Sequence, residues 1–170
     1  WFNRALAVRP ESAAVYSNRG NALLDLKRYA DALASCEHAL TLRPDHVAAL
    51  YNRGAALQFL NRTEEALASY ERALAIQPDH EEALYNRGAV LHDLGRYDEA
   101  LASYDRALSI RPDYPEALTN RGLTLQKGKG LLDEAIASYQ QALTLRPDYA
   151  VGHNNLGNAR KDQGLIDVAI

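Results

Sequence analysis

Residues 44–77 read PDHVAALYNRGAALQFLNRTEEALASYERALAIQ, and residues 78–111 read PDHEEALYNRGAVLHDLGRYDEALASYDRALSIR. The two align without a gap, and the same pattern extends outward from them. Prolines stand at 10, 44, 78, 112 and 147, so the interval is 34 residues three times and 35 once. Self-similarity at this period marks an array of supersecondary units, each of which buries its apolar face only against its neighbours. Such a chain offers an extended surface rather than one pocket, so binding is expected ahead of catalysis. The whole sequence reads as one array: the tail of a repeat at 1–9, full repeats at 10–43, 44–77, 78–111 and 112–146, and a truncated repeat at 147–170.

Each repeat carries two helical patterns. In 44–77, Leu50, Leu57 and Leu60 line a first helix, with Gly54 and Ala56 beside them. Ala66, Leu67, Tyr70, Ala73, Leu74 and Ile76 line a second at the i, i+3, i+4, i+7 spacing. Asn61-Arg62-Thr63 separates the two, and Glu64-Glu65 falls in the first turn of the second helix, where acids complement the dipole. Arg72 lies toward that helix's far end, where a cation is favoured, and Pro78 cannot continue the helix. The fold class expected is therefore all-α. Gly20, Gly54, Gly88, Gly122 and Gly157 recur in mid-helix, where glycine costs roughly 1 kcal/mol relative to alanine. A cost repeated at every unit asks for a steric reason. Close approach of the paired helices supplies one, with Ala32, Ala66, Ala100, Ala135 and Ala169 as the facing small residues.

Composition excludes several classes of function. The net charge is −3 with acids and bases interspersed, which leaves no electrostatic footprint for nucleic acid. No apolar run approaches the ~18 residues of a membrane span. A single cysteine cannot form an internal disulfide framework, and Cys36 holds the slot that Tyr70, Tyr104 and Tyr139 fill in later repeats. It reads as a buried spacer. The histidines (38, 46, 80, 92 and 153) lack the close spacings of a metal site. His92-Asp93 reads as a solvated polar edge. Lys127-Gly128-Lys129-Gly130 carries the one-residue insertion, and without the spacing or hydroxyl of a phosphate loop it reads as a lengthened turn. Asn61-Arg62-Thr63 is formally a glycosylation sequon, but no secretion signal is in view. The expectation is a cytoplasmic chain with no catalytic residue, no metal site and no cofactor. The opening WFNRALAVRP matches the end of a repeat, as in SYERALAIQP (69–78), and the closing LIDVAI matches only the start of a second helix. A fragment of a longer protein is expected, with Trp1, Phe2, Ala169 and Ile170 as apolar ends suited to end-to-end self-association.

The stretches LYNRGAAL (50–57), ALASY (66–70) and Pro78 resemble the W-x2-L-G-x2-Y, A-x3-F, P pattern of tetratricopeptide repeats, and LYNRGAVL (84–91), ALASY (100–104) and Pro112 do so again. The resemblance covers the whole chain. It departs in carrying Arg before Gly at Arg19, Arg53, Arg87 and Arg121, whereas Leu156 restores the usual residue. That arginine either braces the second helix, its stem over apolar surface and its fork on an acid or carbonyl, or it meets a ligand. The resemblance implies an α-α superhelix, a solenoid of antiparallel helix pairs whose first helices line a concave groove. Groove candidates are then Asn18, Asn52, Asn86, Asn120 and Asn155, one per repeat, with Tyr51 and Tyr85 as aromatic anchors. A primary amide both donates and accepts, so a row of them suits the main chain of an extended peptide. The alternative role is bracing of inter-helix contacts. The series is similar to the asparagine ladder of O-linked N-acetylglucosamine transferases, and HNNLGNARKDQGLIDVAI (153–170) is similar to their repeats. This implies either a peptide-binding scaffold or the substrate-recruiting arm of such a glycosyltransferase. A basic carboxylate clamp is not expected, because Glu82 and Glu116 stand where it would need cations.

Overall fold

The computed structural model describes residues 12–169, with side chains described through 164. The segment 1–9 and the ends Trp1, Phe2 and Ile170 invoked for self-association lie outside the described residues, and Ala169 is described by its backbone alone. Every regular element among the described residues is helical: α1 (Ala13–Asp25), α2 (Tyr29–Leu42), α3 (Val47–Phe59), α4 (Thr63–Ile76), α5 (Glu81–Asp93), α6 (Tyr97–Ile110), α7 (Pro115–Thr124), α8 (Leu132–Leu145) and α9 (Ala150–Ala169). A π-helical turn, Leu125–Lys129, joins the end of α7. The chain divides into two compact units, Trp1–Asn86 and Arg87–Ile170. In the first, α1 packs on α2, α2 on α3 and α3 on α4, and the first helices α1 and α3 also touch. In the second, α6 packs on α7, α7 on α8 and α8 on α9, with α7 touching α9. Each unit is thus the expected all-α stack of helix pairs.

The turn inside each repeat is set by backbone conformation. Lys27, Asn61, Gly95 and Gly130 occupy the same register and all are left-handed, at φ 57°, 57°, 72° and 65°. The next residue donates its N–H back over the turn: Arg28 to the Leu23 carbonyl at 2.8 Å, Arg62 to Leu57 at 2.9 Å and Arg96 to Leu91 at 2.8 Å. This satisfies carbonyls that the helix end would otherwise leave open. In the 35-residue repeat, Leu131 reaches Leu125 instead, one residue further back, at 3.2 Å. The inserted residue is therefore absorbed by widening the last helical turn into a π-turn, and not by the lengthened loop that the sequence suggests. Of the four left-handed residues, Lys27 has the worst chemistry, since a Cβ in this region costs roughly 1–2 kcal/mol. Part of that is returned when glycine loosens the unfolded chain. Lys27→Gly is expected to stabilise the protein by roughly 0.5–1 kcal/mol, read as a higher denaturant midpoint at unchanged slope.

The mid-helix glycines make room for rings. A Cβ placed on Gly54 would stand 2.6 Å from Cε1 of Tyr70, one on Gly88 would stand 2.7 Å from Tyr104, and one on Gly122 would stand 2.6 Å from Tyr139. Gly20 meets the sulfur of Cys36 at 2.5 Å. The partner is therefore the aromatic four residues beyond the alanine that the sequence reading named, except in the first repeat, where it is Cys36. The alanines Ala32, Ala66, Ala100 and Ala135 are fully buried as well. Cys36 is a buried spacer, and burial pushes its thiol up to about 12. Among the described residues a Cβ on Gly157 would meet nothing within 4 Å, so no packing reason is visible there for that glycine. Arg72 also departs from expectation. It lies before the last turn of α4 and donates to the Pro44 carbonyl at 3.1 Å, tying the second helix to the start of its own repeat.

Candidate functional site

The second helices open on an acid-bearing first turn: Glu64 and Glu65 in α4, Asp98 and Glu99 in α6, Asp133 and Glu134 in α8. Arg62 forks onto Glu65 with two bonds of 2.7 Å, and Arg96 onto Glu99 with the same pair. These exposed pairs hold the carboxyls of Glu65 and Glu99 below the usual range. The arginine before Gly54, Gly88 and Gly122 then crosses to the second helix. Arg53 donates to Ser69 at 2.6 Å, Arg87 to Ser103 at 2.7 Å and Arg121 to Ser138 at 2.7 Å. Each serine is buried and passes its own proton to a carbonyl one turn back, that of Glu65, Glu99 or Glu134. A flanking acid completes the site, Asp105 at 2.6 Å from Arg121 and Glu37 at 3.7 Å from Arg53. Arg53, Arg87 and Arg121 are thus braces between paired helices, and the serine each uses carries no signal of its own in the sequence.

The asparagines sit on the first helices, Asn18 on α1, Asn52 on α3 and Asn86 on α5 in one unit, Asn120 on α7 and Asn155 on α9 in the other. Their surroundings differ despite the common register. Asn18 is exposed, while Asn86, Asn120 and Asn155 are half-buried. Asn52 is only 6% exposed and its Nδ2 donates to the Ser17 carbonyl at 3.3 Å, which ties α3 to α1. Asn86 reaches back one repeat in the same way, but there the preceding position is Tyr51, and Nδ2 donates to the phenol oxygen at 3.2 Å. Tyr51 is half-buried, stacks on the His80 ring (centroids 5.1 Å apart, planes 23° apart) and leans on Tyr70 at 6.0 Å. Burial raises its phenol above the ordinary value, and the bond from Asn86 works against that. Tyr70 donates to Gln58 Oε1 at 3.2 Å. Tyr85 is half-buried on α5.

Two features were misread or missed in the sequence. His92 is not a solvated edge. It is half-buried, lies edge-on to Tyr97 and bonds through Nδ1 to the buried Thr124 hydroxyl at 2.8 Å. Thr124 spends its proton on the Asn120 carbonyl, so it must accept from Nδ1–H of His92. Burial is the main cause that depresses His92's affinity for a second proton; Lys127 adds to it and Asp93 opposes it. A depressed folded value means the contribution to stability is full above the unfolded imidazole value and is lost as pH falls through the folded one. His92→Asn keeps a donor without titrating. Between about pH 7.5 and about pH 5, its melting temperature should fall less than the parent's.

His80, Glu81 and Glu82 form a cluster that histidine spacing alone does not reveal. Their ligand atoms lie within 4.8 Å of one another. His80 Nδ1 accepts the Ala83 amide at 3.4 Å, as His46 Nδ1 accepts that of Ala49 at 3.3 Å. The acids occupy the first turn of α5, where the dipole favours anions and opposes a cation. The group is therefore a helix start. His46 and His80 also border an open cleft of about 450 Å³ with Arg43, Asp45, Val47 and Ile76. No helix among the described residues is long and apolar enough to cross a membrane.

Sequence models described as tetratricopeptide repeat match residues 11–79 and 69–102, and one described as TPR repeat matches 90–128 and 129–164. No curated protein matches the sequence. Among solved structures, YrrB, a TPR protein with an unusual peptide-binding site, is 27% identical over 96% of this chain and 84% of its own, at TM-score 0.81. MamA from Desulfovibrio magneticus RS-1 is 28% identical over 88% of this chain and 85% of its own, at TM-score 0.80. TTC0263, a thermophilic TPR protein of Thermus thermophilus, is 25% identical over 93% and 86%, at TM-score 0.76.

Proposed function

The chain belongs to the tetratricopeptide repeat family, and from that premise we propose that it is a non-catalytic scaffold binding an extended polypeptide segment along the groove face of its first helices. The observation that carries this reading is the amide series at one register, Asn18, Asn52, Asn86, Asn120 and Asn155, with Tyr51 and Tyr85 beside it. Amides repeated along a row suit the peptide group, which recurs along any ligand whatever its side chains. Asn18, Asn86, Asn120 and Asn155 carry exposed or half-buried surface for this. Asn52 is the exception: it braces α1 against α3 and keeps little surface for a ligand. Each unit holds part of the row, Asn18, Asn52 and Asn86 in one and Asn120 and Asn155 in the other. The likeness to YrrB, a protein with a peptide-binding site, points the same way.

The test is a titration of the full chain against a library of unstructured peptides. Binding tolerant of peptide sequence supports main-chain capture; binding to one motif only, or to none, counts against it. A second reading keeps the same groove but makes it the substrate-recruiting arm of a larger enzyme, of the O-linked N-acetylglucosamine transferase kind. The asparagine series favours it. Sequence beyond residue 170 decides between the two: a nucleotide-sugar-binding domain supports the arm, and a stop or further repeats removes it.

A further inference from the structure

The asparagines were expected to pair with a ligand through both ends of the amide, and in the first unit the hydrogen-bond inventory changes that picture. Asn86 directs Nδ2 at the Tyr51 phenol oxygen, 3.2 Å away. The Tyr70 phenol lies beside the same pair, its ring 6.0 Å from that of Tyr51, and its proton is committed to Gln58 Oε1 at 3.2 Å. With the amide nitrogen engaged on phenol oxygen, half-buried Asn86 has its carbonyl oxygen, Oδ1, left as the acceptor for a ligand. A phenol oxygen that accepts one bond still carries its own proton. Among the described residues Tyr51 O–H donates to none, and the ring is steadied by the stack on His80 and the tilted contact with Tyr70.

We infer that the Tyr51–Asn86 pair forms the main-chain reader of the first unit, with Tyr51 O–H donating to the carbonyl and Asn86 Oδ1 accepting the N–H of one residue of an extended ligand. The inference rests on the peptide-binding reading above and assigns the donor role there to a tyrosine rather than to an asparagine. It also separates two positions that the sequence makes equivalent. One repeat earlier, Ser17 replaces the tyrosine, Asn52 reaches the Ser17 backbone instead, and both residues are buried. That position has no phenol to present and serves packing. The ring at 51 costs little entropy to order, since it has two side-chain torsions and already stacks on His80. The ligand chemistry is that of an extended polypeptide, because the N–H and C=O of one residue, which leave the same edge of an extended chain, must be offered side by side. A folded partner with its backbone paired internally cannot do so.

The experiment uses the full chain and a fluorescent unstructured peptide selected by the library titration. Tyr51→Phe removes one O–H and keeps the ring, so thermal unfolding close to the parent's confirms that the fold is retained. The expected result is a loss of affinity of roughly 3- to 10-fold for Tyr51→Phe, the size of one net hydrogen bond. Asn52→Ala should lower the melting temperature with little change in affinity. Replacing one ligand peptide bond at a time by an ester should find a site whose loss weakens binding to the parent. Parent-like affinity in Tyr51→Phe, with binding still lost on removal of the asparagines, overturns this inference and leaves the amide row standing. Absence of binding by every peptide overturns the underlying reading and this inference with it.

Discussion

Tyr70→Ala lowers the stability of the protein by about 3–5 kcal/mol, the range for emptying a buried aromatic site. The Tyr70 ring is fully buried and lies against Gly54 so closely that a single added carbon would stand 2.6 Å from it. Its hydroxyl is tied to Gln58 at 3.2 Å and its ring to Tyr51 at 6.0 Å. Alanine leaves a void bounded by helix backbone at the glycine, which cannot move in to fill it. Against a total of roughly 5–15 kcal/mol for a domain, the change is severe. A companion substitution makes the mechanism checkable. Gly54→Leu alone should destabilise by about 1–3 kcal/mol through overpacking, yet in the Tyr70→Ala background it should restore part of the loss, because the leucine enters the vacated space. The sign of the coupling in that double-mutant cycle, read from denaturant unfolding, is the diagnostic. If the two losses simply add, ring and glycine are not packing partners.

That pairing shows how far the sequence could be read. The 34-residue period, the two helices per repeat and the turn between them are carried by local signals: apolar spacing, acids at helix starts, proline after helix ends. Those features do not depend on tertiary contacts, and they survive in the structure. What opposes the glycine is a tertiary matter. Alanine and tyrosine both recur at fixed registers, and a one-turn difference in which of them meets Gly54 leaves no trace in composition. The insertion at 127–130 was visible as an extra residue, but whether a chain lengthens a loop or widens a helix turn depends on packing. Here a Cβ on Gly128 would collide with the Tyr97 ring, so the turn is held tight against that side chain. The asparagine series teaches the same lesson at the candidate site. Identical register gave one expectation for all five. The neighbour one repeat back, serine in one case and tyrosine in the other, sends Asn52 to a backbone carbonyl and Asn86 to a phenol. His92 was likewise misjudged, since Thr124 lies 32 residues away and meets it only once the helices stack.

The second large effect concerns binding. If the amide row holds a ligand main chain, each exposed or half-buried asparagine contributes a net bond of about 0.5–1.5 kcal/mol, and removing three should cost on the order of 10- to 1,000-fold in affinity. Asn18→Ala, Asn86→Ala and Asn120→Ala together sample both units and leave the Asn52 brace intact. Folding of the triple variant is checked by helical signal and melting temperature. The decisive measurement is the affinity of this variant, beside the parent, for one unstructured peptide and for a scrambled version of the same composition. The account predicts that the parent binds both peptides and that the triple variant loses both alike. Parent-like affinity in a folded triple variant would contradict it.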